Sequence, residues 1–294
     1  MFIIKYKKIF VTISIILVSL SVFSIVYFGL NFGIDFKGGS LLEIEYQNTR
    51  PEQALVESSI KSLSIGEILV QPIGTNGYSI KTRDITDEER TSVLEVLGAD
   101  ASEKSFTSIG PSVGAELVRK SIISFILVVL GIIFWIAFSF RKVSKPVSSW
   151  KYGFMAIISL IHDVTISAGV FAFLGYLTGA EVDTLFVVAI LTVLGLSVSD
   201  TIVVFDRIRE NIRVGHYKTF EETVGRSLDQ VYTRSIATSS TVIIVLLALV
   251  FFGPTSTKIF AIMLTAGMFF GTYSSIFLAS PLLVIVNNLQ KKNK

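Results

Sequence analysis

Long apolar runs constrain this chain more than any other feature. Six blocks, at 9–29, 121–140, 153–175, 183–205, 230–252 and 259–286, run with few charges. A bilayer core about 30 Å thick needs about 20 consecutive apolar residues per helix. Each block reaches that length, and the longer ones leave room for tilt. The chain as a whole is 51 % hydrophobic and 17 % charged, whereas a soluble domain is about a quarter charged. The first block follows Lys5, Lys7 and Lys8, but its apolar part is too long for a signal peptide and no small-x-small cleavage site follows it. It reads as a retained anchor.

Basic residues give an orientation. Three Lys/Arg precede the first block, four lie in 141–151, six in 206–234 and three in the tail. The loops 176–182 and 253–258 hold only Lys258 between them. By the positive-inside rule both termini are expected in the cytoplasm, and an even number of spans agrees. Residues 1–30 then form the N-terminus and first span. Residues 31–120 form an extracytoplasmic domain, 121–286 a bundle of five spans, and 287–294 a basic cytoplasmic tail.

The 31–120 segment carries nine Lys/Arg against fourteen Asp/Glu, a net charge of −5. Its pattern predicts a strand at 40–46 and a helix opening at Thr49-x-x-Glu52 with Pro51 in its first turn. Strands at 67–73 and 78–83 follow, joined by a Thr-Asn-Gly turn. A second capping box, Thr86-x-x-Glu89, opens another helix, and 104–109 is a last strand. The order βαββαβ predicts a small ferredoxin-like α+β domain.

Charges inside apolar blocks are the candidate functional groups, since each costs a few kcal/mol at mid-bilayer on insertion scales. They are Asp163, Asp200 and Arg234. At 1.5 Å per residue, Asp200 lies about 26 Å and Arg234 about 27 Å from the outer ends of consecutive antiparallel helices, which predicts that the two are level. Asp163 lies about 18 Å from the outer end of its helix. Each has polar neighbours at helical spacing: Ser159, Asp163 and Ser167; Ser197 and Asp200; Arg234, Thr238 and Thr241. Such stripes suit a hydrated path or a polar helix contact, and for Asp163 the two readings stand equally. Asp206, Arg207 and Arg209 read as interfacial residues. Gly267, Gly271, Ser275 and Ala279 form a small-xxx-small packing stripe.

Enzyme chemistry finds no support. With no cysteine and only His162 and His216, thiolate sites are excluded and a zinc or iron site has few ligands. There is no G-x-x-x-x-G-K-[ST] loop, no H-E-x-x-H and no G-x-S-x-G. No cofactor, no metal and no nucleic-acid partner is expected. Energy for transport must come from an ion gradient or a partner.

Several motifs together resemble a known family. Gly33-Ile34-Asp35-Phe36-Lys37-Gly38-Gly39 after the first block and Ile109-Gly110-Pro111-Ser112-Val113-Gly114-Ala115-Glu116-Leu117 before the second are similar to the two signatures of the SecD/SecF protein-export subunits. His162-Asp163, the run Ser199-Asp200-Thr201-Ile202-Val203-Val204-Phe205-Asp206-Arg207, and Thr233-Arg234-Ser235-Ile236-Ala237-Thr238-Ser239 resemble the SecF branch. Ala237 stands where that branch usually has Asn, a departure that leaves the charge in place but not the polar side chain of the pattern. The resemblance spans nearly the whole chain and implies one half of an RND-like membrane unit in a bacterial cytoplasmic membrane. It further implies pairing with SecD, association with the SecYEG channel and with YajC, and promotion of late preprotein translocation on a proton or sodium gradient. The unfolded preprotein and membrane lipid are the other expected contacts. Asp200 and Arg234 match the family's ion pathway, and 33–39 with 110–114 match its junctions. Gly33, Gly38, Gly39, Gly110 and Gly114, flanked by Asp35 and Pro111, are expected to let the backbone turn where a domain swings. Half of an RND-type lipid or small-molecule exporter is the alternative, against which the 90-residue ectodomain segment is small; a non-conducting translocon scaffold is another.

The orientation is directly testable. In a chain without cysteine, a cysteine at Ser144 should react with membrane-impermeant maleimide only after the membrane is opened to its cytoplasmic face. Labelling from the outside would overturn the assignment.

Overall fold

The computed structural model describes residues 2–140, 149–215 and 217–292. Most of the basic 141–151 loop, with Ser144, lies outside the described residues, as do His216 and the end of the basic tail. In chain order the elements are α1 (Phe2–Lys5), α2 (Lys7–Phe28), α3 (Ile34–Lys37), β1 (Gly39–Tyr46), α4 (Gln53–Lys61), β2 (Leu69–Ile73), β3 (Gly77–Thr82), α5 (Asp87–Leu97) and β4 (Ala101–Ile109). The helices α6 (Pro111–Phe140), α7 (Ser149–Thr178), α8 (Thr184–Val214), α9 (Phe220–Phe252) and α10 (Thr255–Ser274) follow. A π-helical turn, Ser275–Ala279, leads into α11 (Ser280–Lys292). Six helical stretches among the described residues are long and apolar enough to cross a membrane, the last running through the π turn. They extend beyond the apolar blocks. The Ile109–Leu117 motif is therefore not a linker before a helix, because Pro111 opens α6 itself, where its missing N–H costs nothing.

The chain divides into two compact units. The smaller comprises 32–123 together with 182–184. Its sheet is antiparallel throughout, in the order β2-β3-β1-β4, as the ferredoxin-like order requires. Leu42, Ile44 and Tyr46 alternate into one face of β1, Val70 and Ile80 join them, and Val56, Ile60 and Val93 of α4 and α5 close the core. The Thr86 box forms as expected: Thr86 Oγ1 accepts the Glu89 N–H at 3.3 Å and Glu89 Oε2 accepts the Thr86 N–H at 3.1 Å. A hydrogen bond from Arg83, and then the one from Thr86, hold the Glu89 carboxyl below the usual glutamate range.

The Thr49 box does not form. Glu52 is the N-cap, its side chain makes no capping bond, and α4 begins only at Gln53. Pro51 explains the shift, because a proline disfavours the α region for the residue before it, here Arg50. Two further details differ from expectation. β4 starts three residues earlier than 104, and β2 begins at Leu69 rather than at 67.

The larger unit comprises 1–31, 124–181 and 185–294. Small residues set its closest packing. Ser24 Oγ on α2 donates to the Gly169 carbonyl of α7 at 2.8 Å. A Cβ at Gly169 would lie 2.5 Å from that of Ser21. On α10, a Cβ at Gly267 would lie 2.1 Å from Val193 Cγ2, and one at Gly271 would lie 3.1 Å from Ser197 Cβ. The next member of the stripe, Ser275, meets Thr201 with 2.8 Å between hydroxyl oxygens. Steps of four along α10 and into the π turn thus face steps of four on α8 at Val193, Ser197 and Thr201. Small side chains let backbones approach in this way where lipid supplies no hydrophobic drive. Aromatic edges fill the wider gaps, with Phe171 against Phe186 at 4.6 Å and Tyr152 against Phe205 at 5.3 Å between ring centroids. The most apolar stretch of α6 buries no residue within this chain.

Two predictions follow from these contacts. Thr86→Ala should destabilise the small domain by about 1 kcal/mol, read as faster amide exchange in α5. The contribution of Glu89 is complete above the ordinary glutamate range and is lost as pH falls through its lowered value. Gly267→Ala should destabilise the bundle by about 1–3 kcal/mol through overpacking, and Val193→Ala added to it should recover most of the loss in detergent melting curves. An unrescued double variant would contradict the α8–α10 contact.

Candidate functional site

Asp200 lies in the middle of α8 and is half-buried. Its Oδ2 is 3.3 Å from Ser239 Oγ on α9 and 3.2 Å from Thr272 Oγ1 on α10. The two hydroxyl oxygens are 2.5 Å apart. Each also reaches a carbonyl of its own helix, Ser239 that of Ser235 at 2.8 Å and Thr272 that of Met268 at 3.0 Å. A hydroxyl has one proton to donate, so two protons are shared among the carboxylate, two carbonyls and the hydroxyls themselves. With Asp200 ionised, the hydroxyls turn to the carboxylate. With Asp200 protonated, its own O–H supplies the missing donor and the hydroxyls return to their helices. The cluster accommodates either state by hydroxyl rotation alone.

Arg234 is exposed within this chain. Among the described residues it has no carboxylate within ion-pair distance, and α9 presents Ser239 to Asp200 instead. The step of five positions from Arg234 to Ser239 amounts to about 7.5 Å of helix. Two members of the expected polar stripe turn back on their own helix. Thr238 Oγ1 donates to the Arg234 carbonyl at 2.9 Å and Thr241 Oγ1 to that of Thr238 at 2.7 Å.

Asp163 is fully buried. Its Oδ2 accepts from Ser197 Oγ of α8 and from Ser274 Oγ of α10, the latter at 2.8 Å. His162 Nδ1 is 2.8 Å from its Oδ1. The other stripe members, Ser159 and Ser167, are buried with no hydrogen-bond partner among the described residues, as is His162 Nε2. No group of three or more His, Cys, Asp or Glu able to hold a metal occurs among the described residues. Ser239, Thr272 and Ser274 were not singled out from sequence. Ser239 ends a motif run, while Thr272 and Ser274 flank the small-residue stripe, and helical Ser and Thr so often bond their own backbone that nothing in the sequence marks these three.

The junction residues assemble within the smaller unit. Gly38 and Gly39 have φ of +78° and +131°, a region costly for any residue with a Cβ. A Cβ at Gly38 would lie 3.0 Å from Pro111 Cα, and one at Gly114 3.1 Å from Gly38 N. The two motifs are therefore pressed backbone to backbone. Gly33 is extended, and Gly110 meets only an ordinary contact with Asp84, so neither needs glycine for its backbone. Gly33 N–H donates to the Val182 carbonyl at 2.9 Å. Asp35 Oδ2 accepts from both the N–H and the hydroxyl of Thr184, at 2.8 and 2.6 Å, and so caps the first residue of α8.

Comparison with known proteins agrees with these motifs. The family model for the C-terminal region of the protein export membrane proteins SecD/SecF matches 89–289, and that for the SecD/SecF GG motif matches 23–49. Protein translocase subunit SecF of Thermobaculum terrenum is 42 % identical over 97 % of this chain and 94 % of its own. That of Anaerolinea thermophila is 37 % identical over 98 % and 94 %. The crystal structure of SecDF from Thermus thermophilus, a translocon-associated membrane protein, superposes with a TM-score of 0.81 at 28 % identity, covering 99 % of this chain and 38 % of that one. The chain therefore spans well under half of SecDF while matching the SecF relatives end to end. With its apolar spans, its small antiparallel domain and both signature motifs in place, the chain belongs to the SecD/SecF family of protein export membrane proteins.

Proposed function

We propose that this chain is a SecF-type subunit of the protein export machinery and pairs with a SecD-type chain. We further propose that the pair couples an ion gradient to late preprotein translocation through Asp200. Its membrane orientation is the one its basic residues favour, with both termini cytoplasmic and the small domain outside. The observation that carries the reading is the Asp200 cluster, a titratable carboxylate held by hydroxyls from two neighbouring helices that serve either of its charge states. Arg234 supports it from the other direction. An arginine facing outward from a spanning helix is costly unless a partner covers it, and the SecD-type chain is the proposed source of a carboxylate. As Asp200 gains and loses its proton or sodium ion, rotation of Ser239 and Thr272 shifts their hold between α8 and their own helices. The SecYEG channel, with YajC, and the emerging preprotein are the proposed contacts of the assembled pair. The 33–39 and 109–114 motifs act as its junction; their tight mutual packing favours a joint that moves as one piece.

Asp200→Asn keeps the shape of the side chain and removes its titration. In membranes with the SecD-type partner it should leave the complex intact and abolish gradient-stimulated export, while Arg234→Lys should retain part of it if charge rather than the forked guanidinium matters. An intact Asp200→Asn complex with undiminished gradient dependence would end this reading.

A further inference from the structure

Asp163 is enclosed on every side and Asp200 is not, although both are carboxylates in the same bundle. Asp163 is 0 % exposed, and its two oxygens meet three polar neighbours, His162 Nδ1 on its own helix, Ser197 on α8 and Ser274 on α10, the last also within reach of the Gly271 carbonyl at 3.0 Å. The two serines sit beside the Asp200 cluster. Ser197 is three residues before Asp200 on α8, and Ser274 is two residues after Thr272 on α10. The same two helices touch through Gly267 and Gly271, where a side chain would collide with Val193 or crowd Ser197. Immediately after Ser274 the helix passes into its π turn, and Ser280 Oγ returns to the Ser275 carbonyl at 3.2 Å. Turns of this kind sit mostly at functional sites, and this one begins where α10 lets go of Asp163.

From this geometry we infer that Asp163 is a positioning residue, a buried clamp that holds α8 against α10 and so fixes the distance between Asp200 and Thr272. It does not carry the ion. The inference rests on the reading of Asp200 as the titrating group. Polar neighbours on three helices surround the carboxyl where it stands, and a group so enclosed has no open side within this chain from which to exchange an ion. Loss of the clamp lets α10 drift from α8, which weakens the Thr272 bond to Asp200 and changes its affinity for a proton. Among the described residues the titratable group that touches Asp163 is His162, on which Tyr273 of α10 stacks with ring centroids 6.3 Å apart; the groups that reach the carboxyl itself from α8 and α10 are the neutral hydroxyls of Ser197 and Ser274.

The test compares Asp163→Asn, Ser197→Ala, Ser274→Ala and Asp200→Asn in membranes with the SecD-type partner. Gradient-stimulated export is measured against pH. A Thr201→Cys/Ser275→Cys pair, placed where two hydroxyls now meet and free of background cysteine, reports the α8–α10 contact by oxidative cross-linking. Asp163→Asn should keep gradient stimulation at a several-fold lower maximum, with a displaced pH midpoint and several-fold less cross-linking. The two serine variants, which keep the carboxyl and lose one bond each, should show smaller changes in the same direction and decide the matter if Asp163→Asn fails to assemble. A wild-type pH profile and wild-type cross-linking in these variants would overturn the inference. So would complete loss of stimulation in an intact Asp163→Asn complex whose cross-linking is unchanged, since Asp163 would then carry the ion itself. Asp200→Asn run in parallel separates the two claims: undiminished gradient dependence there removes the coupling role of Asp200, while the cross-linking still reads the clamp.

Discussion

A carboxylate inside a bilayer is tolerated only where other polar groups meet it, because hydrocarbon offers no hydrogen bond in exchange for water. This chain places two such carboxylates in adjacent helices and meets them almost entirely with serine and threonine. Asp163 draws on Ser197 and Ser274, Asp200 on Ser239 and Thr272. The helix contacts follow from that need. Gly267 and Gly271 have no side chain, so α10 comes near enough to α8 for short hydroxyls to reach, and the π turn after Ser274 follows directly.

The two carboxylates differ in how far they are enclosed: Asp163 is fully buried and Asp200 half-buried. Both hydroxyls around Asp200 have alternative acceptors on their own helices, at Ser235 and Met268, and of the two around Asp163 Ser274 has one as well, at Gly271. Around Asp163 the surroundings are closed and include an imidazole. The proposed roles, Asp200 as the group that changes state and Asp163 as the fixed clamp, rest on that difference in enclosure. Arg234, exposed on α9, fits a bundle whose ionic pairing is completed by a second chain.

The spans were legible because an apolar run of about 20 residues has few alternatives, and the small domain because its strands alternate and Thr86 caps without interference. The Thr49 signal misled because Pro51 pushes Arg50 out of the helical region, a local veto within the same motif. Asp200 and Arg234 were identified as charges, but counting residues from the ends of apolar blocks set them level. The outer ends fall where expected, at Thr184 and Phe252, yet the group that α9 turns toward Asp200 is Ser239, because helix ends alone fix neither the axial offset nor the tilt between neighbouring helices. The hydroxyl partners stayed hidden because a helical serine has the same sequence signature whether it bonds its own backbone or a carboxylate on another helix.

Dicyclohexylcarbodiimide reacts with protonated carboxyls in apolar surroundings and leaves ionised ones alone, so it reads the state of Asp200 without any substitution. Mass analysis of the assembled complex should find the adduct on Asp200, decreasing as pH rises and changing with the imposed gradient, with none on the enclosed Asp163. An Asp200 that stays unmodified at every pH, or an Asp163 that takes up the reagent in its place, would contradict the account.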